Sequence, residues 1–315
     1  MTAISFSGPA LSPTPQTIAG QLITSIGTDQ SQIATLQEQI STGMVINQPS
    51  DNPALAADVM TMNSSLTRAQ QYVSNAADGQ GWLAQGTSTL NQVMSALQSI
   101  TSAVESVSGQ ALSGQTAAVN GIAAQVASGL QQILGLANTT YNGQAIFAGT
   151  GSTTQAYDST GTYLGNTTAP SRTVAPGTQV TIAQIGSTVF GSGTAGLLTG
   201  AGATSGSVGV LQQIVNDLKA GNLSAATGAD LQNLQAATAT VANAAATLGA
   251  NYQNMQAFSA QATATQQALQ TELGNLQDTN LPKAATQLTE AQSSYQAALW
   301  ATAQVSQQSL VQFLG

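Results

Sequence analysis

Neither cysteine nor histidine occurs in this 315-residue chain. Their absence removes disulfides, zinc sites of the Cys/His kind, thiol nucleophiles and the commonest general base. Charge is almost as scarce. Charged residues make up 5% of the sequence, against about 25% in an ordinary soluble domain, so water-facing positions are filled by Gln, Asn, Ser, Thr and Ala. The basic residues are Arg68, Arg172, Lys219 and Lys283, and the net charge is −8. Four scattered cations cannot form the footprint that a phosphate backbone requires, which excludes nucleic acid as a partner. No run of about 18 apolar residues is present, so membrane insertion is not expected. No Lys or Arg precedes Arg68, and Pro9, Pro13 and Pro15 stand where the apolar core of a secretory signal would lie. A cleavable signal peptide is therefore not expected.

What is present is helical patterning. Apolar residues make up 42% of the chain, enough to bury a core. Leu234, Val241, Leu248, Met255, Ala262, Leu269 and Leu276 recur at strict seven-residue spacing without one charged member. At 1.5 Å rise per residue this seam predicts a helix about 60 Å long, which needs partner helices along its length. At the other end, Ile18, Leu22, Ile26, Ile33, Leu36 and Ile40 predict a first helix over 17–42, closed by Gly43. Ser50-Asp51-Asn52-Pro53 offers a capping side chain and a first-turn proline for a second helix. Its stripe runs through Val59, Leu66 and Val73, then Leu83, Leu90, Leu97 and Val104, with Gly79, Gly81 and Gly86 suggesting a bend near Trp82. A third helix after Gly114 is carried by Val119, Ile122, Val126, Ile133 and Leu136. Later helices are predicted from Val208 to about Leu218, from Leu231 through the long seam, and from Pro282 to Leu314.

Between Tyr141 and about Ser207 the texture turns to Gly, Thr and Ser. Residues 178–183 alternate as a half-buried strand does, and 155–157 and 162–164 flank a turn-like Asp158-Ser159-Thr160-Gly161 as a hairpin would. The organisation predicted is a flexible tail at 1–16, an N-terminal helical region at 17–140, a β-rich outer module at 141–207 and a C-terminal helical region at 208–315. The fold class expected is mainly α: a long antiparallel coiled-coil rod formed by the N- and C-terminal regions, with a small β-rich insertion in the middle.

The stripes at both chain ends are narrow, and burying a Leu contributes only about 1.5–3 kcal/mol while ordering a residue costs roughly 1–2. The outermost helices are therefore expected to become fully ordered when neighbouring subunits cover them. The candidate assembly interface comprises Leu22, Ile26, Asp29, Ile33, Leu36 and Ile40 near one end and Leu288, Tyr295, Leu299, Val305 and Leu310 near the other. Asp29 is a polar intruder on its seam; it either faces water or makes an intersubunit hydrogen bond that fixes register.

Specific segments resemble a known family. Leu36–Ala54 reads LQEQISTGMVINQPSDNPA and resembles the N-terminal signature of bacterial flagellins and their junction relatives. Tyr141–Thr150 (YNGQAIFAGT) resembles the stretch where that family leaves its third helix, and Thr247–Asn251 (TLGAN) its returning helix. The ending, with ATQLTEAQ at 285–292 and SQQSLVQFL at 306–314, is similar to hook-associated junction proteins. Pro49 and the Asn52-Pro53 pair favour the same branch. The resemblance implies a structural adaptor ring at the hook–filament junction. Its implied partners are copies of itself, flagellin, another hook-associated protein and, before secretion, an export chaperone. It implies an extracellular place in the flagellum, reached through the flagellar type III apparatus. The alternatives are flagellin, the filament subunit, and a secreted coiled-coil adhesin or enzyme.

Other motifs carry bland readings. Gly191-Ser192-Gly193-Thr194-Ala195-Gly196 fits G-x-G-x-x-G, but no helical pattern follows at once and no acidic residue occurs before Asp217, so a loop is expected and no cofactor. Asp51 and Asp58 read as a cap and a solvated helix face, and the abundant hydroxyls have no His to activate them. No catalytic set and no metal site is expected. With few charges to screen over a Debye length of about 8 Å, assembly should depend little on salt. Sedimentation at low and high salt should show unchanged polymer stability; a steep dependence contradicts this.

Overall fold

The computed structural model describes residues 15–109, 115–151, 154–191, 196–198 and 208–314. Helices dominate. In chain order they and the strands are α1 (Pro15–Thr42), α2 (Pro53–Gly109), α3 (Thr116–Ala137), β1 (Thr140–Tyr141), β2 (Gln144–Ala145), β3 (Ser171–Ala175), β4 (Thr178–Thr181), α4 (Gly186–Val189), α5 (Val210–Ala220), α6 (Leu223–Thr227), α7 (Ala229–Gln277) and α8 (Leu281–Leu314). The chain forms two compact units, one made of residues up to Leu66 together with those from Ala268 onward, the other of Thr67–Gln267. The expected tail at 1–16 lies almost entirely outside the described residues.

Helix ends follow local chemistry. Gly43 stops α1 at φ +73, and α5 stops at Gly221, φ +75, both in the left-handed region that costs glycine least. Asn52 caps α2 by accepting from the Leu55 N–H at 3.2 Å, and Asn280 caps α8 by accepting from the Lys283 N–H at 3.1 Å.

The second unit is built on the seven-residue stripes. Leu83, Leu90, Leu97 and Val104 of α2, Leu234, Val241, Leu248 and Met255 of α7, and Ala123, Val126 and Ile133 of α3 are buried in one cluster. α2 and α7 run antiparallel: a methyl group on Gly79 would lie 2.5 Å from Met255 Cε, and one on Gly86 would lie 3.0 Å from Leu248 Cδ1. α2 continues as one helix through Gly79, Gly81 and Gly86, without a break at Trp82. Those glycines serve close approach, Gly81 to the Tyr141 ring, which in turn packs edge-on against Trp82 with centroids 5.6 Å apart.

The β module is small and pinned to these helices. β3 and β4 pair antiparallel with an irregularity at Thr173/Ala175, and the expected strand at 178–183 is β4 with a shorter end. Asn75 of α2 donates to the Thr173 carbonyl at 2.8 Å, Asn251 of α7 donates to the Thr181 carbonyl at 2.9 Å, and Arg172 Nε donates to Asp78 at 2.7 Å. The expected hairpin at 155–164 is present as a bridge between Tyr157 and Tyr163, its turn closed by Asp158 accepting from the Thr160 and Thr162 N–H groups. Asn138 at the end of α3 holds that hairpin, accepting from the Ala156 and Tyr157 N–H groups and donating to the Tyr157 carbonyl. Phe190 packs edge to face with Phe147 and Tyr157, and Tyr157 packs tilted against Tyr163, around it. Burial pushes the Tyr163 phenol up to about 12 and raises that of Tyr157, so both remain neutral.

Glycines of α3 give a paired test. Nothing lies within 4 Å of a methyl group built on Gly121, whereas one on Gly129 would meet Ile100 Cδ1 at 2.7 Å. Gly121→Ala should stabilise the second unit by about 0.5–1 kcal/mol through helix propensity, and Gly129→Ala should destabilise it by about 1–2 kcal/mol through overpacking. Urea unfolding of the two variants measures both signs.

Candidate assembly interface

Within the first unit, α1 and α8 pair antiparallel. Ser294 of α8 donates to Asp29 of α1 at 3.1 Å, and beyond the helix ends Met44 bridges Asp278. Each step forward along α1 is matched by a step back along α8. The backbone closes the open end of the pair: the Val45 N–H donates to the Gln277 carbonyl at 2.7 Å and the Thr279 N–H to the Gly43 carbonyl at 2.8 Å. Asp51 closes the adjoining turn by accepting from the Asn47 and Gln48 N–H groups. Asp51 therefore holds the loop while Asn52 supplies the helix cap, and Asp58 is exposed.

The seam between the two helices is thin. Leu36, Ala284 and Ala291 are its buried residues, with Ile33, Ile40 and Leu288 packed around them. Leu36 acts as a knob among Ala284, Leu288 and Ala291, whose small side chains allow the helices to close up. Of the expected interface residues, Leu22, Ile26, Asp29, Tyr295, Ile33, Ile40 and Leu288 are half-buried along this seam and Leu36 is buried. Asp29 is half-buried and accepts a hydrogen bond from Ser294 of its own chain. Leu299 faces outward, 44% exposed. Val305 and Leu310 lie on α8, with side chains outside the described residues.

Two kinds of residue escaped the sequence reading. Ala284, Ala291 and Ala298 form a seven-residue ladder of their own that carries the α8 side of the seam; small residues at heptad spacing were the available signal. Ile23, 63% exposed, and Trp300, 77% exposed, lie at matching levels on the outside of the pair. A Trp off the apolar stripe of its helix was the signal for the exposed side chain on α8.

Elsewhere the surface offers little chemistry. Grooves of about 640 Å³ and 440 Å³ flank α2 in the second unit, lined by hydroxyls, amides and small side chains, with the Tyr252 phenol as the titratable group. No group of three acidic, His or Cys side chains that could hold a metal occurs among the described residues. No described helix is long and apolar enough to cross a membrane. Of the glycine-rich motif at 191–196, residues 192–195 lie outside the described residues.

Long helical regions at both ends of the sequence, with α1 paired on α8 and a small β-containing segment between them in chain order, define a mainly α-helical protein. Residues 15–152 match the bacterial flagellin N-terminal helical region and residues 231–314 the bacterial flagellin C-terminal helical region. The chain belongs to the bacterial flagellin family, whose members are structural proteins of the flagellum. Among solved structures it is similar to a Vibrio parahaemolyticus protein described as a flagellar hook-associated protein, at 20% identity and TM-score 0.62, covering 72% of this chain and 100% of that one. FlgL of Xanthomonas campestris is similar at 17% identity and TM-score 0.57, and FlgL of Bacillus cereus at 18% and 0.55; each comparison covers 68% of this chain and 99% of the other. No curated protein sequence gave a significant match.

The thin seam makes Leu36 a sensitive position. Leu36→Ala should cost the α1–α8 pair about 2–4 kcal/mol. Amide exchange should then show lost protection over residues 33–40 and 284–291, with the amides around Leu248 unchanged.

Proposed function

We propose that this chain is the structural adaptor at the hook–filament junction, of the hook-associated protein 3 type, and that it works by packing and not by catalysis. Copies associate into a ring that rests on another hook-associated protein and receives the first flagellin subunits. The chain reaches the outside of the cell through the flagellar export apparatus, accompanied beforehand by a cytoplasmic chaperone. The similar solved structures are of hook-associated and FlgL proteins, and Pro49 with Asn52-Pro53 supports the same branch. The observation that carries the assembly reading is the α1–α8 pair itself. Its core is a single leucine between two alanines, while Ile23, Leu299 and Trp300 present their side chains outward. Large exposed apolar side chains on a poorly filled helix pair are suited to a neighbouring subunit of the same sparsely charged kind.

A second reading, the filament subunit, is favoured by the family descriptions, which name flagellin. Immunolabelling of intact flagella separates the two. A junction subunit labels a narrow band at the filament base, and its deletion leaves hooks that shed unpolymerised flagellin; label along the whole filament overturns the junction reading. For the interface, Ile23→Ser combined with Trp300→Ala should leave the circular dichroism of the monomer unchanged, since both side chains are exposed. Ring assembly should weaken about tenfold or more, because burying one large apolar side chain is worth about 1.5–3 kcal/mol. Unchanged assembly in sedimentation would remove this face from the interface.

A further inference from the structure

α5 ends and α7 begins at two buried aspartates. Asp217, in the last turn of α5, is 9% exposed, and Asp230, in the first turn of α7, is 7% exposed. Carboxylates rarely sit so deep unless a cation or a full set of donors accompanies them. Asp217 has donors: Gln213 Nε2 at 2.7 Å and Asn222 Nδ2 at 3.1 Å. Asp230 lacks them. Its carboxyl lies against that of Asp217, and its buried Oδ2 receives no donor.

No cation comes to the pair. α3, which packs on α5, has no charged residue, and neither has α6. Lys219 of α5 is exposed, the next charged residue of α7 after Asp230 is Glu272, and Glu105 of α2, near the level of the pair, is acidic and exposed. Two ionised carboxylates in contact would both be acceptors, repelling each other with nothing between them. One proton resolves this: carried on the Asp230 carboxyl, it is donated in a hydrogen bond to the Asp217 carboxylate, which keeps its bonds from Gln213 and Asn222.

We propose that a single proton shared between Asp230 and Asp217 latches the end of α5 to the start of α7. The corner formed by α5, α6 and α7 is then tight while the pair holds that proton and loosens when it is lost. Burial, with the hydrogen bond and charge of Asp217 adding to it, raises Asp230 from 3.8 to about 6, while Asn222 and Gln213 hold Asp217 below its ordinary range. The two carboxyls titrate as a pair. Because the folded value of Asp230 is raised, its contribution is complete below its ordinary value and is lost as pH rises toward about 6. The Asp217 contribution has the opposite sign and is lost only in stronger acid. The corner is therefore firmest in mildly acidic solution.

The test uses the full chain. Carboxyl carbon NMR should show the pair releasing its last proton near pH 6, and amide protection over residues 213–232 should fall about 10- to 100-fold between about pH 4.5 and about pH 8. Asp230→Asn carries a permanent amide donor toward Asp217 and should hold high protection across that range. A flat wild-type profile overturns the latch, and so does the same fall in Asp230→Asn. If added potassium or calcium restores protection in the wild type at about pH 8, the pair is a cation site and the proton latch fails. If Asp230→Asn does not fold, the wild-type carboxyl titration decides by itself: both groups titrating at or below about 4 refutes the shared proton.

Discussion

Register between α2 and α7 is the constraint on which the second unit depends. Charge cannot set it, because the flanks of these helices carry almost none. It is set by size: Gly79 admits Met255 and, one heptad on, Gly86 admits Leu248. Sliding one helix by a residue would drive bulky side chains into backbone instead of into those gaps. The β insertion inherits this alignment, since Asn75 and Asp78 on α2 and Asn251 on α7 must stand at fixed places to hold β3 and β4. A helix packing error would thus misplace the insertion as well.

The first unit uses the same small-residue device with far less material. Ala284 and Ala291 make room for Leu36, and the Asp29–Ser294 bond fills a seam position that carries no apolar side chain. The buried part of the seven-residue ladder illustrates the contrast. Leu234, Val241, Leu248 and Met255, in the second unit, are fully buried, whereas Leu269 and Leu276, in the first, are only half covered. The chain thus has one filled core, in the second unit, and one underfilled helix pair, in the first. Such a division suits a subunit that must fold before it assembles.

Legibility in the sequence followed the range of the interaction. The stop at Gly43 and the presence of a cap within Ser50–Pro53 are local, so they could be read from neighbouring residues, although the cap is Asn52 and not Asp51. The hairpin at 155–164 was legible because its turn chemistry lies within five residues. β3 was not, because Ser171–Ala175 has no strand signature and is a strand only beside β4. That the glycines near Trp82 serve close approach was not legible, since their partners, Met255, Tyr141 and Leu248, are remote in sequence. Asp29 stood out as a polar residue on an apolar stripe, but Ser294, which donates to it from α8, stands 265 positions away.

By itself the sequence determined that both terminal regions are long, sparsely charged helices, that a β-rich segment lies between them, and that the motifs are those of the flagellin family. These follow from periodicity, capping and local composition, which act over a few turns of chain. Only the tertiary structure decided which apolar residues are consumed inside the α1–α8 pair and which, like Trp300, are left facing outward. It alone brought Asp217 and Asp230 together. Both outcomes depend on packing between segments remote in sequence, where burial and the absence of a counter-charge become visible only once the helices are placed.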